Sequence, residues 1–239
     1  MVDLSKMTKW EIGKLFDYSV LPKNSTEAMI RQGCRDAIKY NAKAFCFSSS
    51  YWTKVVVEEL QGTDLMIGAA IGFPFGQQSS AVKAFETEEA VRMGATVLDN
   101  CMNVGALKDK KYDEMNKEFK EYVSAAGGMM TKMIIETCLL TKEEIAVACK
   151  LVAEAGIDWV KTSTGQYAGP SVQDVMIMVD TLKDTQTKVK VAGVKAPRPQ
   201  NAFAFFAAGA ELIGTQGAAE ILDAVEDLRK IGLCPAYVG

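Results

Sequence analysis

Residues 129–163 read MMTKMIIETCLLTKEEIAVACKLVAEAGIDWVKTS, in which two short apolar runs are separated by an amphipathic stretch. The runs at residues 129–136 and 157–163 have the length and composition of buried strands, whereas residues 141–155 have the pattern of a helix. Two parallel strands need a crossover connection, which is usually a helix. This stretch therefore predicts one parallel βαβ unit.

The same alternation extends in both directions along the chain. Eight candidate strands lie at residues 15–21, 43–48, 65–72, 96–103, 129–136, 157–163, 187–192 and 211–214. Helical patterns lie near residues 25–40, 51–60, 80–93, 109–126, 141–155, 171–183, 198–208 and 217–230. Thr141 and Glu144 form a capping-box pattern at one helix start. Three glycines stand where left-handed C-caps belong, namely Gly94, Gly156 and Gly209.

Eight strand–helix pairs in a chain of 239 residues predict a (β/α)8 TIM barrel, an α/β fold that typically needs about 250 residues. A doubly wound open sheet is the competing architecture, but the strand count, even spacing and total length favour the closed barrel. Because no linker or low-complexity tract divides the sequence, residues 1–239 are expected to form a single barrel domain. Residues 1–14 are expected to add an N-terminal helix that covers the bottom of the barrel.

The composition argues against several kinds of partner. The net charge is −3 and no Lys/Arg-rich run occurs, so neither nucleic acid nor an anionic membrane is expected as a partner. No segment reaches the roughly 18 consecutive apolar residues of a membrane span, and the N-terminus lacks the apolar core of a signal peptide.

The six cysteines show no CxxC spacing, which predicts reduced thiols in a cytoplasmic protein.

The sequence contains no histidine. This excludes a Ser-His-Asp or Cys-His mechanism and any His-ligated metal site, and we expect neither a metal nor a cofactor. Chemistry near neutral pH must then come from carboxylates, tyrosine, cysteine or lysines with a shifted pKa.

Four charged residues interrupt strands that should be apolar on both faces. Asp99, Lys132, Lys161 and Lys190 fall in the fourth, fifth, sixth and seventh predicted strands. Burying an unpaired charge is costly, so such groups normally pair or face a polar cavity. Their positions on consecutive strands predict a shared polar pocket inside the barrel.

Lys161 stands at the carboxyl end of its strand, where barrel enzymes keep their catalytic groups, and the polar residues 162–165 follow it. A protonated lysine is a poor nucleophile, but a second cation nearby lowers its pKa and exposes the neutral amine. Lys190 on the next strand is a candidate for that cation, and Asp99 for an acid–base partner assisted by water. The constellation predicts imine and enamine chemistry on a carbonyl substrate.

Each of these residues alone has a simpler interpretation. A lysine at a strand end often extends to solvent, and Asp99 alone suits a structural hydrogen-bond acceptor. Lys132 is expected to be structural, as a partner of Asp99 or Glu136. The combination on adjacent strands is what favours catalysis.

At these residues the chain resembles the deoxyribose-phosphate aldolases, which are class I (Schiff-base) aldolases with a (β/α)8 barrel. The resemblance covers about residues 17–219, and residues 160–165, VKTSTG, match the Schiff-base lysine motif of that family. Further matches, in the right order, are Gly72-Phe73-Pro74 with Gly76, Lys83 and Glu86, Gly94-Ala95 with Leu98-Asp99, Asn103-Val104-Gly105, Lys132, and residues 135–141.

The resemblance implies that Lys161 forms the Schiff base, that Asp99 relays protons and that Lys190 tunes Lys161. The implied reaction is the reversible cleavage of 2-deoxy-D-ribose 5-phosphate to acetaldehyde and D-glyceraldehyde 3-phosphate. The substrate, an aldehyde or sugar phosphate, is expected to meet a set of binding residues comprising Asp17, Ser19, Cys46, Lys132, Thr164, Gly165, Gly193, Lys195, Gly214, Thr215, Gln216 and Gly217. A homodimer or homotetramer is expected, because such barrels commonly form one.

The chain departs from the family pattern in four places. The motifs Asp-His-Thr and Phe-Pro-His-Gly read DYS at residues 17–19 and FPFG at residues 73–76, so both histidines are missing. The strand-7 loop at residues 193–195 reads GVK in place of Gly-Gly-Val-Arg. The strand-8 loop at residues 214–217 reads GTQG and lacks the usual serines. These last two loops form the usual phosphate site of barrels, where backbone N–H groups bind the anion.

Three functional hypotheses follow. The first is a deoxyribose-phosphate aldolase. The second is a related Schiff-base aldolase for a different, non-phosphorylated aldehyde or a sugar acid, because the two loops are altered. The third is a catalytically silent barrel that binds a sugar or a partner. Tyr237 is a candidate lid or proton donor, although a disordered tail is the expectation for the C-terminus.

Overall fold

The computed structural model describes residues 2–239, and its eight strands form a closed parallel barrel in the order β1 to β8. The strands are β1 (Phe16–Val20), β2 (Ala44–Phe47), β3 (Met66–Ile71), β4 (Val97–Cys101), β5 (Met130–Ile134), β6 (Trp159–Lys161), β7 (Lys188–Ala192) and β8 (Leu212–Thr215). Hydrogen bonding between β1 and β8 closes the sheet, so the (β/α)8 barrel is confirmed and the open sheet is excluded.

Helices surround the barrel and cover the outer faces of its strands. They are α1 (Lys9–Ile12), α2 (Glu27–Lys39), α3 (Thr53–Leu60), α4 (Ser80–Arg92), α5 (Val104–Lys108), α6 (Tyr112–Ala125), α7 (Lys142–Glu154), α8 (Val172–Leu182), α9 (Arg198–Ala207), α10 (Ala218–Asp223) and α11 (Val225–Lys230). The outward-facing strand residues pack against them, as where the ring of Phe16 meets Phe206 of α9 edge to face at 5.7 Å. Within residues 2–239, no helix combines the length and apolar character needed to cross a lipid bilayer.

The helix boundaries follow the signals in the sequence. Thr141 and Glu144 form the capping box of α7, each side chain bonding the other's backbone N–H. Gly94, Gly156 and Gly209 adopt positive φ angles of 109°, 78° and 103°, as predicted for left-handed caps. These caps satisfy backbone groups that helix ends leave unpaired, and so fix the lengths of the crossovers.

The N-terminal segment is a chain of short turns, with α1 flanked by two 3-10 turns, and it covers the bottom of the barrel as predicted. Asn41, just before β2, donates from its side chain to the carbonyl of Trp10 at 2.9 Å, which places this segment at the amino ends of the strands.

The C-terminal tail differs from the disordered tail that we expected. The Val238 N–H bonds the Ser5 carbonyl at 2.8 Å, and the Arg229 guanidinium lies 5.6 Å from the Tyr237 ring centre. Tyr237 is therefore held against the N-terminal segment, at the end of the barrel opposite the carboxyl ends of the strands.

The strand register places the charged residues inside the barrel. Partners in neighbouring parallel strands point to the same face, and Lys161 is opposite Lys190 while Lys132 is opposite Asp99. Asp17 of β1 is opposite Gly214 of β8 on the far side of the closure. The barrel interior is thus lined by charges, whereas the apolar core lies between the strands and the helices.

Candidate active site

Five buried charged side chains meet in the centre of the barrel. They come from five different strands and comprise Asp17, Asp99, Lys132, Lys161 and Lys190. With all five groups ionised, three positive lysines and two negative carboxylates give a total charge of +1. Within this group, which we call the charged network, loss of a single proton leaves the total charge at zero.

Asp99 joins the two lysines of β6 and β7. Its Oδ2 accepts from Lys161 Nζ at 2.6 Å and from Lys190 Nζ at 3.0 Å. Burial by itself would raise the pKa of Asp99, but the ammonium groups of Lys161, Lys190 and Lys132 outweigh it and hold that pKa far below its usual value. Asp99 is therefore a carboxylate, in contact with the residue that the sequence suggests as nucleophile.

Lys190 is held as a cation. Burial opposes its charge, but Asp17, whose Oδ2 lies 2.6 Å from Lys190 Nζ, and Asp99 raise the pKa of Lys190 well above its usual value. Two lysines of the charged network line the cavity above it, and of these Lys190 pairs with two carboxylates and Lys161 with one.

Lys132 pairs with Asp99, one of its two expected partners, but it pairs more closely with Asp17, which we did not expect. Its Nζ lies 2.5 Å from Asp17 Oδ2 and 4.0 Å from Asp99 Oδ1, so its main partner is Asp17. Glu136 instead accepts from the Thr164 hydroxyl at 2.5 Å and from the Thr164 backbone N–H. Lys132 lies beneath the cavity and does not contribute to its lining.

A cavity of about 310 Å³ opens above the network at the carboxyl ends of the strands; we call it the main cavity. Most of the predicted site residues line it, namely Asp17, Ser19, Cys46, Thr164, Gly165, Lys161, Lys190, Gly193, Lys195, Gly214, Thr215 and Gln216. Asp99 and Gly217 are not among its lining residues, and Asp99 reaches it only through Lys161 and Lys190. Leu21, Pro22 and Gln166 also line it and were not predicted from the sequence.

Cys46 lies on the floor of the main cavity, and its sulfur is 4.0 Å from Lys190 Nζ. Burial, only partly offset by the charge of Lys190, raises the pKa of this thiol to about 11. Cys46 is therefore a neutral thiol near pH 7, which suits packing better than nucleophilic chemistry.

The loops after β7 and β8 form one end of the main cavity. Lys195 and Arg198 both line it, but Arg198 also pairs with Glu220 at 2.9 Å. Gly193 has a φ of 76°, and its backbone approaches the β6 loop so closely that a Cβ on Gly169 would lie 2.1 Å from the Gly193 carbonyl oxygen. This end of the cavity is cationic, and Lys195 there is exposed to solvent.

Glu136, which we did not predict to be near the site, bonds Thr164 in the lining of the main cavity. It follows β5, is buried, and adopts a left-handed conformation with a φ of 55°, which is uncommon for a residue other than glycine. Burial raises the pKa of its carboxyl, although Thr164, Lys161 and Lys195 oppose this shift. A charged residue directly after a buried strand, in the matched segment 135–141, was the available signal.

A comparison with family models matches residues 12–224 to the DeoC/LacD family of aldolases. The chain is 41% identical over 214 residues to a deoxyribose-phosphate aldolase of Clostridium novyi, covering 89% of this chain and 95% of that protein. It is 39% identical over 218 residues to deoxyribose-phosphate aldolase 1 of Mesoplasma florum, covering 91% of this chain and 98% of that protein.

Solved structures give the same result. A putative deoxyribose-phosphate aldolase from Coccidioides immitis superposes with a TM-score of 0.87 at 29% identity, covering 92% of this chain and 88% of that one. A deoxyribose phosphate aldolase from Aeropyrum pernix, described as a unique tetramer, superposes with a TM-score of 0.84 at 25% identity, covering 92% and 93%. With the family model spanning most of the barrel, this chain belongs to the DeoC/LacD family of aldolases.

Proposed function

We propose that this chain is a class I aldolase that reversibly cleaves 2-deoxy-D-ribose 5-phosphate to acetaldehyde and D-glyceraldehyde 3-phosphate through a Schiff base on Lys161. The observation that supports the proposal is the 2.6 Å contact between Asp99 Oδ2 and the Nζ atom of Lys161, which lines the main cavity. An amine next to a carboxylate, at the carboxyl end of a barrel strand, has the parts that imine chemistry needs.

The cleavage can be followed atom by atom. The Lys161 amine adds to C1 of the open-chain sugar, and loss of water gives an iminium ion. Removal of the proton from the C3 hydroxyl breaks the C2–C3 bond, which releases glyceraldehyde 3-phosphate and leaves an enamine. Protonation at C2 and hydrolysis of the iminium ion then release acetaldehyde and the free amine.

Asp99 and Lys190 handle the protons in this scheme. Asp99 Oδ2 is the acceptor in contact with both lysines, so it exchanges protons with Lys161 and with the substrate through water. Lys190 remains a cation and holds Asp99 in place, because Asp17 anchors it from the other side at 2.6 Å. Lys132 completes the set by balancing Asp17.

The acceptor end of the substrate is assigned to the loops after β7 and β8. Lys195, the backbone around Gly193 and the residues 214–216 supply positive charge and polar groups for a phosphate. The pairing of Arg198 with Glu220 favours a second candidate, in which the same chemistry serves a non-phosphorylated aldehyde or sugar.

Trapping the imine tests the proposal. The protein is incubated with 2-deoxyribose 5-phosphate or acetaldehyde, reduced with borohydride, and the adduct is mapped by mass spectrometry. We expect the adduct on Lys161, none in Lys161→Arg, and a normal adduct in the matched control Lys188→Arg. The proposal fails if several aldehydes give no adduct on Lys161. Equal cleavage of deoxyribose and its 5-phosphate would select the second candidate.

We further propose that the chain acts as one domain over residues 1–239, in the cytoplasm, as a homodimer or homotetramer. The tetrameric Aeropyrum pernix relative supports assembly. Within residues 2–239 all six cysteines are free thiols, which suits a reducing compartment. Light scattering of the purified protein measures the assembly, and a monomeric mass would contradict it.

A further inference from the structure

A second cavity of about 240 Å³ lies beside the main cavity, and we call it the side cavity. Its walls come from the ends of β3 to β6 and are mainly apolar, with Phe75, Met102, Val104, Ile134, Leu139 and Tyr167 among them. Thr164 lines both cavities, so the two are neighbours across a single side chain. The sugar chemistry described above leaves the side cavity unused.

The side cavity reaches the layer of the nucleophile. Ile134 is the register partner of Lys161, and Cys101 is the register partner of Ile134. Partners in parallel strands point to the same face, so both side chains point into the barrel at the level of Lys161. Lys161 itself lines the main cavity, on the β7–β8 side, and a carbon chain attached to it would reach the side cavity, on the β4–β5 side, past Thr164.

The walls select for neutral, apolar groups. A buried cavity of roughly 150 Å³ lined by aliphatic and aromatic residues is large enough for benzene, so about 240 Å³ accommodates a phenyl ring or a short alkyl chain. Glu136, the buried carboxyl group in the lining, opposes the entry of an anion. Lys108 at the rim is already paired with Glu144 at 3.0 Å.

The rim of the side cavity is apolar as well. Phe75 is 66% exposed, and Leu139 and Tyr167 are also exposed large apolar residues on neighbouring loops. Phe75 occupies the position at which the family motif Phe-Pro-His-Gly has a histidine. Apolar side chains that project to solvent around a cavity indicate a binding surface, because such surface gains free energy when it is covered.

We propose that the side cavity binds an apolar substituent on the α-carbon of the donor aldehyde, so that the donors of this enzyme include aldehydes R–CH2–CHO in which R is alkyl or aryl. This inference rests on the proposed function, because it requires the imine on Lys161. The main cavity, which is cationic and polar, keeps the acceptor aldehyde.

The proposed reaction balances without a co-reactant. The Lys161 amine condenses with R–CH2–CHO and releases water, and the iminium ion loses an α-proton to give the enamine. The enamine carbon forms a bond to the acceptor carbonyl carbon, and the carbonyl oxygen takes up a proton. Water then hydrolyses the iminium ion, which releases an aldol product bearing R and restores the amine.

The test compares acetaldehyde, butanal and 3-phenylpropanal as donors, with D-glyceraldehyde 3-phosphate as acceptor. Product masses and kcat/KM are measured for the wild type, Phe75→His, Gly105→Leu and the matched control Phe85→His. Phe85 is as exposed as Phe75, at 69%, but lies on α4 away from the side cavity. Gly105 lines the side cavity, and its added Cβ would meet only Asn103 Oδ1, at 3.4 Å, so a leucine there fills the space.

We expect products from all three donors in the wild type. Gly105→Leu lowers the ratio of kcat/KM for 3-phenylpropanal to that for acetaldehyde by at least about tenfold, since a single methylene in a hydrophobic pocket already changes such a ratio by about 10- to 200-fold. Phe75→His lowers the ratio in the same direction, and Phe85→His leaves it unchanged.

Two outcomes overturn the inference and are distinguishable. In the first, acetaldehyde is trapped on Lys161, but the larger donors give no product, or Phe75→His and Gly105→Leu leave the ratio unchanged. That outcome rejects donor binding in the side cavity and leaves the proposed aldolase activity standing. In the second, no aldehyde forms an adduct on Lys161, and that outcome rejects both the proposed function and this inference. Should Gly105→Leu not fold, the exposed Phe75→His and Phe85→His pair still decides the result.

Discussion

Gly214 on β8 leaves the space that the Lys190 side chain of the charged network occupies. A Cβ on Gly214 would lie 2.8 Å from Cε and 3.5 Å from Nζ of Lys190, which is closer than the Cε atom tolerates. Because Lys190 bonds Asp17 at 2.6 Å and Asp99 at 3.0 Å, it must leave one of them if Gly214 becomes alanine.

We therefore expect Gly214→Ala to lower kcat by roughly 100-fold, the effect of misplacing a catalytic group by about 1 Å. The thermal unfolding midpoint is expected to fall as well, because a buried lysine that leaves one of its carboxylate partners leaves buried charge less well balanced. Gly232→Ala is the control for kcat, since its Cβ meets nothing within 4 Å and it lies in the C-terminal segment. Its φ of 79° costs that variant only left-handed strain, about 1 kcal/mol. A folded Gly214→Ala variant with normal kcat would show that catalysis does not need this position of Lys190.

The charged residues inside the barrel could be predicted from the sequence, but their ion-pair partners could not. Charges in strands that should be apolar are visible in a sequence, because burying them unpaired is costly. The partner of Lys132 is Asp17, 115 positions away, and that contact depends on how the closed barrel brings β1 and β5 together. The conformation of Glu136 is equally a product of the folded loop, since nothing in its residue type favours a positive φ.

At the scale of elements, every observed strand begins and ends within two residues of its predicted bounds. The largest trimming is at β6, which retains Trp159–Lys161 only. There the Thr162 hydroxyl donates to the Ala192 carbonyl at 3.1 Å and accepts from the Ala192 N–H at 3.0 Å, so a side chain replaces part of the ladder. The predicted helix near residues 109–126 begins later, at Tyr112, because Lys110 takes a positive φ of 57°.

The loop after β3 depends on the absence of a side chain at Gly76. Its φ is 68°, and a Cβ there would lie 2.3 Å from the Met102 carbonyl oxygen and 2.7 Å from that of Cys101. We expect Gly76→Ala to lower the free energy of unfolding by about 4 kcal/mol, of which about 1 is left-handed strain and about 3 is overpacking. Urea denaturation measures the change.

Gly62 provides the matched comparison for Gly76. It has a φ of 80°, but a Cβ there meets nothing within 4 Å. Gly62→Ala should therefore lose only the left-handed strain, about 1 kcal/mol. If the free energy of unfolding fell equally in the two variants, the loop after β3 would have to move away from β4 easily. That result would contradict the close contact in the structure.

At the scale of the whole molecule, the net charge does not show where the charges lie. The chain has a net charge of −3, yet the charged network inside the barrel holds three lysines and two carboxylates. The number of strands was enough to predict closure, because eight parallel strands of even spacing fit a barrel. The side cavity was not predictable, since its walls come from loops after four different strands.

The charged network also makes stability depend on pH. Burial opposes the ionised forms of Asp17 and Asp99, but the surrounding lysines lower the pKa of both carboxyl groups below the unfolded value of about 3.9. The stability that they contribute is present above that pH and is lost as the pH falls below it. Lys190 has a raised pKa, so its contribution is complete below about pH 10.4 and is lost only as the pH rises further.

Thermal or urea unfolding between pH 2.5 and pH 7, a range that spans the unfolded carboxyl pKa of about 3.9, tests this acid sensitivity. Below that pKa the two carboxylates should make the free energy of unfolding fall by up to roughly 2.7 kcal/mol per pH unit, the limit reached when the unfolded chain binds two protons that the native barrel does not bind. Replacing the Asp17–Lys132 pair with Asp17→Leu/Lys132→Met removes one of these carboxylates together with its main partner. The acid slope of that variant should be shallower by up to roughly 1.4 kcal/mol per pH unit, whereas exposed carboxylates contribute equally to both proteins. An unchanged slope would mean that Asp17 takes up its proton in the native barrel as readily as in the unfolded chain, and would contradict the 2.5 Å and 2.6 Å contacts that hold it ionised.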